Sequence, residues 1–245
     1  MTYKFRIKIS GIPLEVETLH TRSQAICRRF ETEEDPQLCL SITQVEIDYQ
    51  KGKCQSIFPQ SRELWDGAIE VSVLLEKICN EFVNLDIFAL HGASVSDGQY
   101  AYLFTARSGT GKTTHIKKWL ANVPYSFVVN GDKPFIKFSN NGTILVCGSP
   151  WAGKENMYTN TMVPLKSIVL MERAENNHIE QITFADAFPT LLQQVYRPND
   201  EEKMRKTLHL MQKLSPGVTF WRFQCNNFKD DCFDVAYNAL VRDQP

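Results

Sequence analysis

The chain has 245 residues, of which 22% are charged, with a formal net charge of −1 and a pI of about 6.5. This length supports one large domain, or one domain with a small appendage, and allows a sizeable core. The near-neutral charge argues against a polyanion-binding surface, so we expect no nucleic-acid partner. No segment approaches the roughly 20 consecutive apolar residues of a membrane span, and the charged N-terminus does not resemble a secretory signal. We therefore expect a cytoplasmic protein with no membrane partner.

The cysteines are scattered along the chain. None of the seven belongs to a Cys-x-x-Cys pair, and an odd number cannot all pair internally. Most have apolar neighbours, so we interpret them as small buried side chains in a reducing compartment. The five histidines also lack the spacing of metal ligands, and a zinc site is not expected.

Short strand and helix patterns fill the N-terminal part of the chain. Alternating polar and apolar residues predict a β-hairpin from residues 3–9 and 14–19. A short helix is predicted at residues 23–30, and a further strand at residues 38–47. The acidic residues 31–36 are interpreted as a solvated loop, with a partner-binding segment as the alternative.

The clearest helix is predicted at residues 61–82, where apolar residues recur every three or four positions. Ser61 would cap its start, and Glu63 and Asp66 would place negative charge in its first turn. This regular stripe indicates core packing rather than a cofactor site. A strand at residues 87–95 is expected to follow.

Residues 101–120 carry the strongest functional signal in the chain. They predict a buried strand at 102–105, a loop containing Gly109 and Gly111, and then a helix, which is the order typical of a phosphate-binding loop. The glycines allow the loop to turn its N–H groups inward, where a larger residue would obstruct the turn or the phosphate. We therefore predict a site for a nucleoside triphosphate.

Two residues after the glycines would complete this site. Lys112 would supply a mobile positive charge for the β- and γ-phosphates, and Thr113 a hydroxyl that can ligate Mg²⁺. The usual pattern is Gly-x-x-x-x-Gly-Lys-Ser/Thr, and this chain has Ala106 in place of the first glycine. A surface loop with a chance Gly-Lys-Thr is the alternative. The predicted nucleotide-binding residues are Ser108, Gly109, Thr110, Gly111, Lys112, Thr113 and Thr114.

Phosphoryl transfer also needs a group that positions the metal or the nucleophile, and Asp132 is the best candidate. It follows an apolar strand predicted at residues 125–129, and its neighbour Gly131 is expected to leave room for a ligand. Asp132 would hold Mg²⁺, directly or through water, or act as a base toward an acceptor hydroxyl. A turn-forming aspartate before Lys133 and Pro134 is the alternative.

Other polar residues give weaker signals. His91 lies in an apolar strand, where a satisfied core histidine is the usual outcome. Lys154 lies in a loop rich in glycine and proline, residues 148–154, where it would either contact a phosphate or stay solvated. Arg173 and Arg197 are further cations that could approach developing charge, and Lys154 and Arg197 are retained as candidate phosphate or substrate contacts.

The remaining patterns alternate between strands and helices. A hairpin is predicted at residues 135–138 and 144–147, and a strongly apolar strand at residues 165–172. The C-terminal third predicts helices at residues 184–195, 199–213 and 230–241, with a strand at 218–223. Mixed strands with helices on the faces indicate a three-layer α/β arrangement.

Residues 90–95, 108–114 and 130–134 together resemble the catalytic domain of HPr kinase/phosphorylase and its relatives. The phosphate loop is also similar to that of ATP-dependent phosphoenolpyruvate carboxykinase, which shares the fold. Residues 148–154 and 163–166 resemble a branch of small bacterial HPr-kinase-like proteins.

This resemblance implies the fold and its division. Residues 87–245 would form a mixed-sheet α/β domain of the P-loop type, which binds the nucleotide and carries the catalytic residues. Residues 1–86 do not match the kinase's own N-terminal domain and would form a small α+β segment packed on the catalytic domain.

The resemblance also implies ATP and Mg²⁺ as cofactors. Because the matching histidine of the kinase lies beside the transferred phosphate, His91 becomes a catalytic candidate together with Asp132 and Lys112. Thr113 and Asp132 are the expected metal ligands. The kinase carries two successive aspartates where this chain has Gly131 and Asp132.

Three functions are open at this point. The first is a kinase that transfers the γ-phosphoryl group of ATP to a hydroxyl on a small molecule, a peptide or a protein seryl side chain. The second is a non-catalytic nucleotide-binding regulatory module whose residues 1–86 bind a partner. The third, a decarboxylating carboxykinase, is the least favoured, because the chain is short and shows no evident metal cluster. A monomer and a homo-oligomer are both compatible with the sequence.

Overall fold

The computed structural model describes residues 2–57 and 65–242. The chain forms two compact units, Met1–Leu85 and Asp86–Pro245. Among the described residues, no helix has both the length and the apolar character needed to cross a membrane.

A small sheet forms part of the N-terminal unit. β1 (Tyr3–Ile9) and β2 (Ile12–Thr18) pair antiparallel along their whole length, and β3 (Leu38–Ser41) runs parallel to β2. Ser10 and Gly11 both have positive φ and make the tight turn between β1 and β2. The predicted hairpin is therefore confirmed.

Two helices of this unit also follow the sequence pattern. α1 (Thr21–Cys27) continues as a 3₁₀ turn, Arg28–Phe30, over the range predicted for the short helix. The long helix (Asp66–Phe82), which we label α3, buries the second half of the apolar stripe that predicted it, at Leu75, Ile78 and Phe82, whereas Ala68 and Val71 are half-buried. The predicted cap at Ser61 and the predicted first-turn Glu63 lie outside the described residues.

The predicted strand at residues 38–47 is wrong beyond Ser41, because helix α2 (Gln44–Ile57) occupies the second half. Thr43 and Glu46 start this helix with reciprocal hydrogen bonds. The Thr43 N–H donates to the Glu46 carboxylate at 2.9 Å, and the Glu46 N–H donates to the Thr43 hydroxyl at 3.4 Å. Such a capping box overrides a short apolar run that would otherwise resemble a strand.

Within the described residues, the second unit contains a mixed sheet of nine strands. They are β4 (Ile87–Ala89), β5 (Ala93–Ser96), β6 (Ala101–Thr105), β7 (Phe127–Asn130), β8 (Phe135–Phe138), β9 (Ile144–Cys147), β10 (Met162–Arg173), β11 (His178–Ile182) and β12 (Thr219–Cys225). Their order is β4, β8, β9, β10, β6, β5, β7, with β12 paired to β10 and β11 paired to β12. β10 pairs antiparallel with β9 through its first residues and lies parallel to β6 and β12 through the rest. The mixed sheet confirms the predicted α/β class.

Helices lie on both faces of this sheet. They are α4 (Lys112–Asn122), α5 (Phe184–Gln194), α6 (Glu201–Gln212) and α7 (Cys232–Tyr237), the last followed by a π-helical turn, Asn238–Arg242. On one face, Trp119 of α4 packs in a core that includes Phe223 of β12. On the other face, Phe184 of α5 contacts Phe220 of β12, with ring centroids 5.4 Å apart. Because Phe220 and Phe223 point to opposite sides of β12, the predicted three-layer arrangement is confirmed.

The sequence pattern located the hairpin β8–β9 within its observed bounds, but two other predictions need correction. The single strand predicted at residues 87–95 is two strands: β4 pairs with β8, whereas β5 pairs with β6 and β7. Gly92 lies at the break, where a Cβ atom would come within 2.9 Å of Leu103 Cδ2 and of the Phe104 carbonyl oxygen. The pattern also missed β11, whose residues are mostly exposed.

Candidate active site

The loop between β6 and α4 turns through two glycines. Gly109 has φ of 81° and Gly111 has φ of 113°, a region that residues with a side chain rarely adopt. Gly111 immediately precedes α4, and a Cβ atom there would lie 2.3 Å from Nδ2 of Asn227. The backbone conformation therefore favours glycine at position 111, and a larger residue there would also have to displace the side chain of Asn227.

Two side chains from elsewhere in the unit hold this loop. The guanidinium of Arg173, at the end of β10, donates a hydrogen bond to the Gly109 carbonyl. The side-chain amide of Asn227 donates to the Gly111 carbonyl at 3.3 Å. Because both contacts use carbonyl oxygens of the loop, they fix its path without occupying its N–H groups.

The start of α4 provides N–H groups for an anion. The N–H of His115 donates to the Gly111 carbonyl at 3.0 Å. The N–H groups of Lys112, Thr113 and Thr114 come before this bond and therefore lie ahead of the helical hydrogen-bond ladder. Together with the helix dipole, they favour a negatively charged ligand at this end of α4.

Lys112 is folded back against the loop. Its side chain is buried, and Nζ donates a hydrogen bond to the Ala106 carbonyl at 2.8 Å. Burial lowers the pKa of Lys112, while the negative charge of Asp132 acts in the opposite direction. Lys112 is thus coupled electrostatically to a carboxylate that follows a different strand.

A polar cluster surrounds Asp132, just beyond the C-terminal end of β7. Oδ1 of Asp132 lies 3.3 Å from Nε2 of His91, and Oδ2 lies 2.6 Å from Nζ of Lys133. On the other side of the imidazole, Nδ1 of His91 lies 2.6 Å from Oε1 of Gln194. Two of the predicted catalytic residues, His91 and Asp132, are therefore in direct contact.

The contacts of Asp132 keep it ionised. Burial by itself would raise its pKa, but hydrogen bonds from His91 and Lys133, together with the positive charge of Lys133, lower the pKa to about 2. Asp132 therefore carries a negative charge at neutral pH. A carboxylate of this kind accepts hydrogen bonds and binds cations well, but retains a proton poorly.

His91 is held by the backbone around it. Its carbonyl accepts a hydrogen bond from the Thr105 hydroxyl at 2.7 Å, and its N–H donates to the Gln194 carbonyl at 2.9 Å. The next N–H, that of Gly92, donates to the Asp132 carbonyl at 2.8 Å. These bonds join the β4–β5 connection to the end of β6, to the end of α5 and to the backbone of Asp132.

The loop at residues 148–154 packs against Asp132. The buried Asn130 side chain accepts from the Asp132 N–H at 2.9 Å and donates to the Ser149 carbonyl at 2.9 Å. Gly153 has φ of 73°, and a Cβ atom there would lie 3.1 Å from Cβ of Asp132. The loop at residues 148–154 and the segment around Asp132, which are separate in the sequence, therefore form one side of the polar cluster.

The prediction that Gly131 leaves room for a ligand is wrong, because the protein's own backbone occupies the space where a side chain at position 131 would begin. A Cβ atom there would lie 2.9 Å from the Ala152 carbonyl oxygen and 3.2 Å from that of Met157. The backbone of the neighbouring loop fills the space that glycine provides.

The side chains of Lys154 and Arg197 are exposed and do not belong to the polar cluster around Asp132. Lys154 follows Gly153 in the loop that covers Asp132. Arg197 follows Tyr196, whose N–H donates to the Ala89 carbonyl at 3.0 Å, at the end of the strand that leads to His91. Their roles as phosphate or substrate contacts stay predictions.

Sequence reasoning missed three side chains that shape the site. Lys133 is adjacent to Asp132, and the opposite charges of these neighbours are the signal that would have found it. Gln194 lies 103 residues from His91, and Asn227 lies 116 residues from Gly111. Nothing local in the sequence marks Gln194 or Asn227.

The donor atoms near the loop suit a metal that arrives with a nucleotide. Within residues 2–57 and 65–242, no group of three or more His, Cys, Asp or Glu side chains comes together as a metal site. The hydroxyl of Thr113 and the ionised carboxylate of Asp132 are oxygen donors, which Mg²⁺ prefers. Mg²⁺ commonly completes its coordination with phosphate oxygens and water. The residues present therefore fit Mg²⁺ bound together with phosphate.

Known proteins resemble this chain in structure rather than in sequence. No protein-family model matches the sequence, and no curated protein matches it. Among solved structures, the chain is similar to the Hpr(Ser) kinase/phosphatase from Coxiella burnetii, at 11% identity and a TM-score of 0.38, over 63% of this chain and 88% of that one. At this TM-score the likeness does not establish a family.

Proposed function

We propose that this chain is a cytoplasmic ATP- and Mg²⁺-dependent phosphotransferase that transfers the γ-phosphoryl group to a hydroxyl of a small molecule, a peptide or a protein seryl side chain. One observation carries the proposal. The loop with two positive-φ glycines leads into the buried Lys112, which is coupled to the ionised Asp132. Phosphoryl transfer needs both parts: one that binds phosphates, and one that orients the attacking oxygen.

The phosphates would bind at the start of α4. The N–H groups of Lys112, Thr113 and Thr114 precede the helical ladder, and the Lys112 ammonium has one donor beyond those engaged by the Ala106 and Arg107 carbonyls. Thr113 and Asp132 would hold Mg²⁺ together with phosphate oxygens. When bound, the metal neutralises charge on those oxygens.

Asp132 would orient the acceptor hydroxyl. In the transfer, the acceptor oxygen forms a bond to the γ-phosphorus while the bond from that phosphorus to the bridging β-oxygen breaks, which releases ADP. The hydroxyl proton passes to the Asp132 carboxylate, which His91 and Lys133 hold in place, and is released from there to water. With a pKa of about 2, Asp132 acts mainly by positioning, which a loose phosphoryl-transfer transition state tolerates. Lys133 keeps the carboxylate in place through its 2.6 Å contact.

The test is Mg²⁺-dependent release of ADP from ATP, with and without a pool of cell metabolites and peptides. We expect turnover that rises with the pool and is lost in Asp132→Asn. Asp234→Asn, which makes the same chemical change at an exposed position on α7, is the matched control and should retain the wild-type rate. Tight ATP binding without turnover in any mixture would refute the kinase and favour the non-catalytic nucleotide-binding module.

A further inference from the structure

A cavity of about 510 Å³ lies beside the glycine loop and is separate from the cluster around Asp132. One wall is the loop itself, at Gly109–Gly111 and Thr114. The other wall is Arg173 and the segment that follows β12, up to Phe228. Neither His91 nor Asp132 lines it. The loop therefore faces a second space, large enough for part of a ligand whose phosphates it would bind.

Phe228 stands at this cavity with its ring in solvent. The residue is 98% exposed, which is unusual for a phenylalanine. Its backbone is nevertheless fixed, because its N–H donates to Oδ1 of Asn226 at 3.1 Å. Asn226 is fixed in turn, because its own N–H donates to Oδ1 of Asn177 at 2.6 Å. An ordered turn thus presents an aromatic face next to the loop, and such a face stacks well on a heterocyclic base.

The amide side chains beside Phe228 are already engaged by the protein. Asn227 donates to the Gly111 carbonyl and accepts from the Cys232 thiol at 3.5 Å. Asn226 accepts from the Phe228 N–H and donates to the Glu175 carbonyl at 3.2 Å. Both amides are thus fixed by contacts within the protein, whereas the ring face of Phe228 is exposed, so we expect recognition here to depend mainly on that face.

Arg173 connects the two walls. It pairs with Cys225 along β10 and β12, and its guanidinium donates to the Gly109 carbonyl. The exposed guanidinium carries five N–H donors in a fixed fork, and those beyond the Gly109 contact suit the phosphate nearest the ribose.

We propose that this cavity is a nucleobase subsite, in which Phe228 stacks on the base of the nucleotide whose phosphates the glycine loop binds, and Arg173 contacts the phosphate between them. The inference rests on the proposed function, since it requires the loop to bind a triphosphate. On this proposal, residues 225–228 contribute the part of the affinity for ATP that comes from its nucleoside.

The experiment compares the dissociation constants of ATP and of inorganic tripolyphosphate, both with Mg²⁺, by calorimetry on the full chain. Wild type should bind ATP roughly 10-fold more tightly than tripolyphosphate, and Phe228→Ala should lose about that factor for ATP alone. Phe228→Trp keeps a stacking face and should retain the ATP affinity. Tyr125→Ala, at another aromatic residue that is 93% exposed, is the matched control and should change neither constant.

The outcomes separate this inference from the proposed function. If wild type binds neither ATP nor tripolyphosphate, the loop is not a phosphate site and both proposals fail. If wild type binds both, but Phe228→Ala leaves ATP unchanged or weakens the two ligands equally, the nucleobase subsite is wrong and the phosphate site stands.

Discussion

Replacing Asp132 by asparagine keeps the shape of the side chain and removes its charge. In the folded protein the pKa of Asp132 falls from an ordinary value of 3.8 to about 2, because hydrogen bonds from His91 and Lys133 outweigh the effect of burial. A fall of this size corresponds to roughly 2 kcal/mol of folding free energy. The side chain is 24% exposed, so solvent screening reduces the expected contribution to about 1–2 kcal/mol.

The sign of this effect fixes its pH dependence. A carboxylate whose pKa is lowered on folding contributes its stability at pH values above the unfolded pKa, here above about pH 4. The contribution is lost as the pH falls toward 2, because the folded protein then binds the proton as well. The difference in unfolding free energy between wild type and Asp132→Asn should therefore have its largest value at pH 7, be smaller at pH 3, and be close to zero at pH 2.

Urea unfolding of the full chain, followed by tryptophan fluorescence, measures this difference at pH 7, 4 and 3. Trp119, Trp151 and Trp221 all lie in the second unit, so the signal reports mainly on the part that contains Asp132. Asp234→Asn should unfold like wild type at every pH. Equal stability of Asp132→Asn and wild type at pH 7, or a difference that does not shrink at pH 3, would refute the assignment of His91 and Lys133 as the groups that hold the carboxylate.

Three further variants test the loop and the N-terminal unit. Lys112→Ala should abolish the rise in Tm that ATP gives wild type, which at 100 times Kd is about 5–10 °C; an unchanged rise would exclude Lys112 from the phosphate site. Gly111→Ala should lower the free energy of unfolding by about 2 kcal/mol and weaken ATP binding, because its Cβ displaces Asn227. Gly98 has a similar φ, but a Cβ atom there would meet nothing closer than 4.0 Å, so Gly98→Ala should lower the free energy of unfolding by less. Equal losses in the two variants would contradict the role of the Asn227 contact. Glu70→Gln should destabilise the chain by about 2–3 kcal/mol in urea unfolding, since the buried Glu70 accepts three hydrogen bonds; an unchanged midpoint would count against this.

Local patterns predicted those features that depend on neighbouring residues. The glycine loop, the hairpin β8–β9 and the helix α3 each have a signal within a few positions of the chain, either turn residues or a regular apolar period. The same kind of reasoning failed at residues 38–47, where the apolar run was weighed without the capping pair Thr43 and Glu46. It failed again at residues 87–95, because a continuous apolar run does not reveal that the two halves pair with different strands.

The candidate site was only partly predictable for a related reason. Asp132 and Lys112 have side chains whose chemistry is informative wherever they lie. The partners that tune the site belong to distant segments: Gln194 reaches His91 from the end of α5, and Asn227 reaches the loop from beyond β12. These contacts exist only once the sheet order is known, and no periodicity or spacing encodes them.

Glycine at position 131 bears on how Asp132 would act in the proposed reaction. The atoms that a Cβ would meet there are backbone oxygens, of Ala152 and Met157, which cannot move aside as a flexible side chain can. A second carboxylate at 131 would therefore displace the loop that packs on Asp132. In the proposed reaction, the metal and the acceptor would share the two oxygens of Asp132. Of these, Oδ2 is held by Lys133 at 2.6 Å, whereas Oδ1 has a longer contact of 3.3 Å with His91. Since the more weakly held oxygen is the easier one to reach, we expect the acceptor hydroxyl to approach Oδ1, on the side of His91.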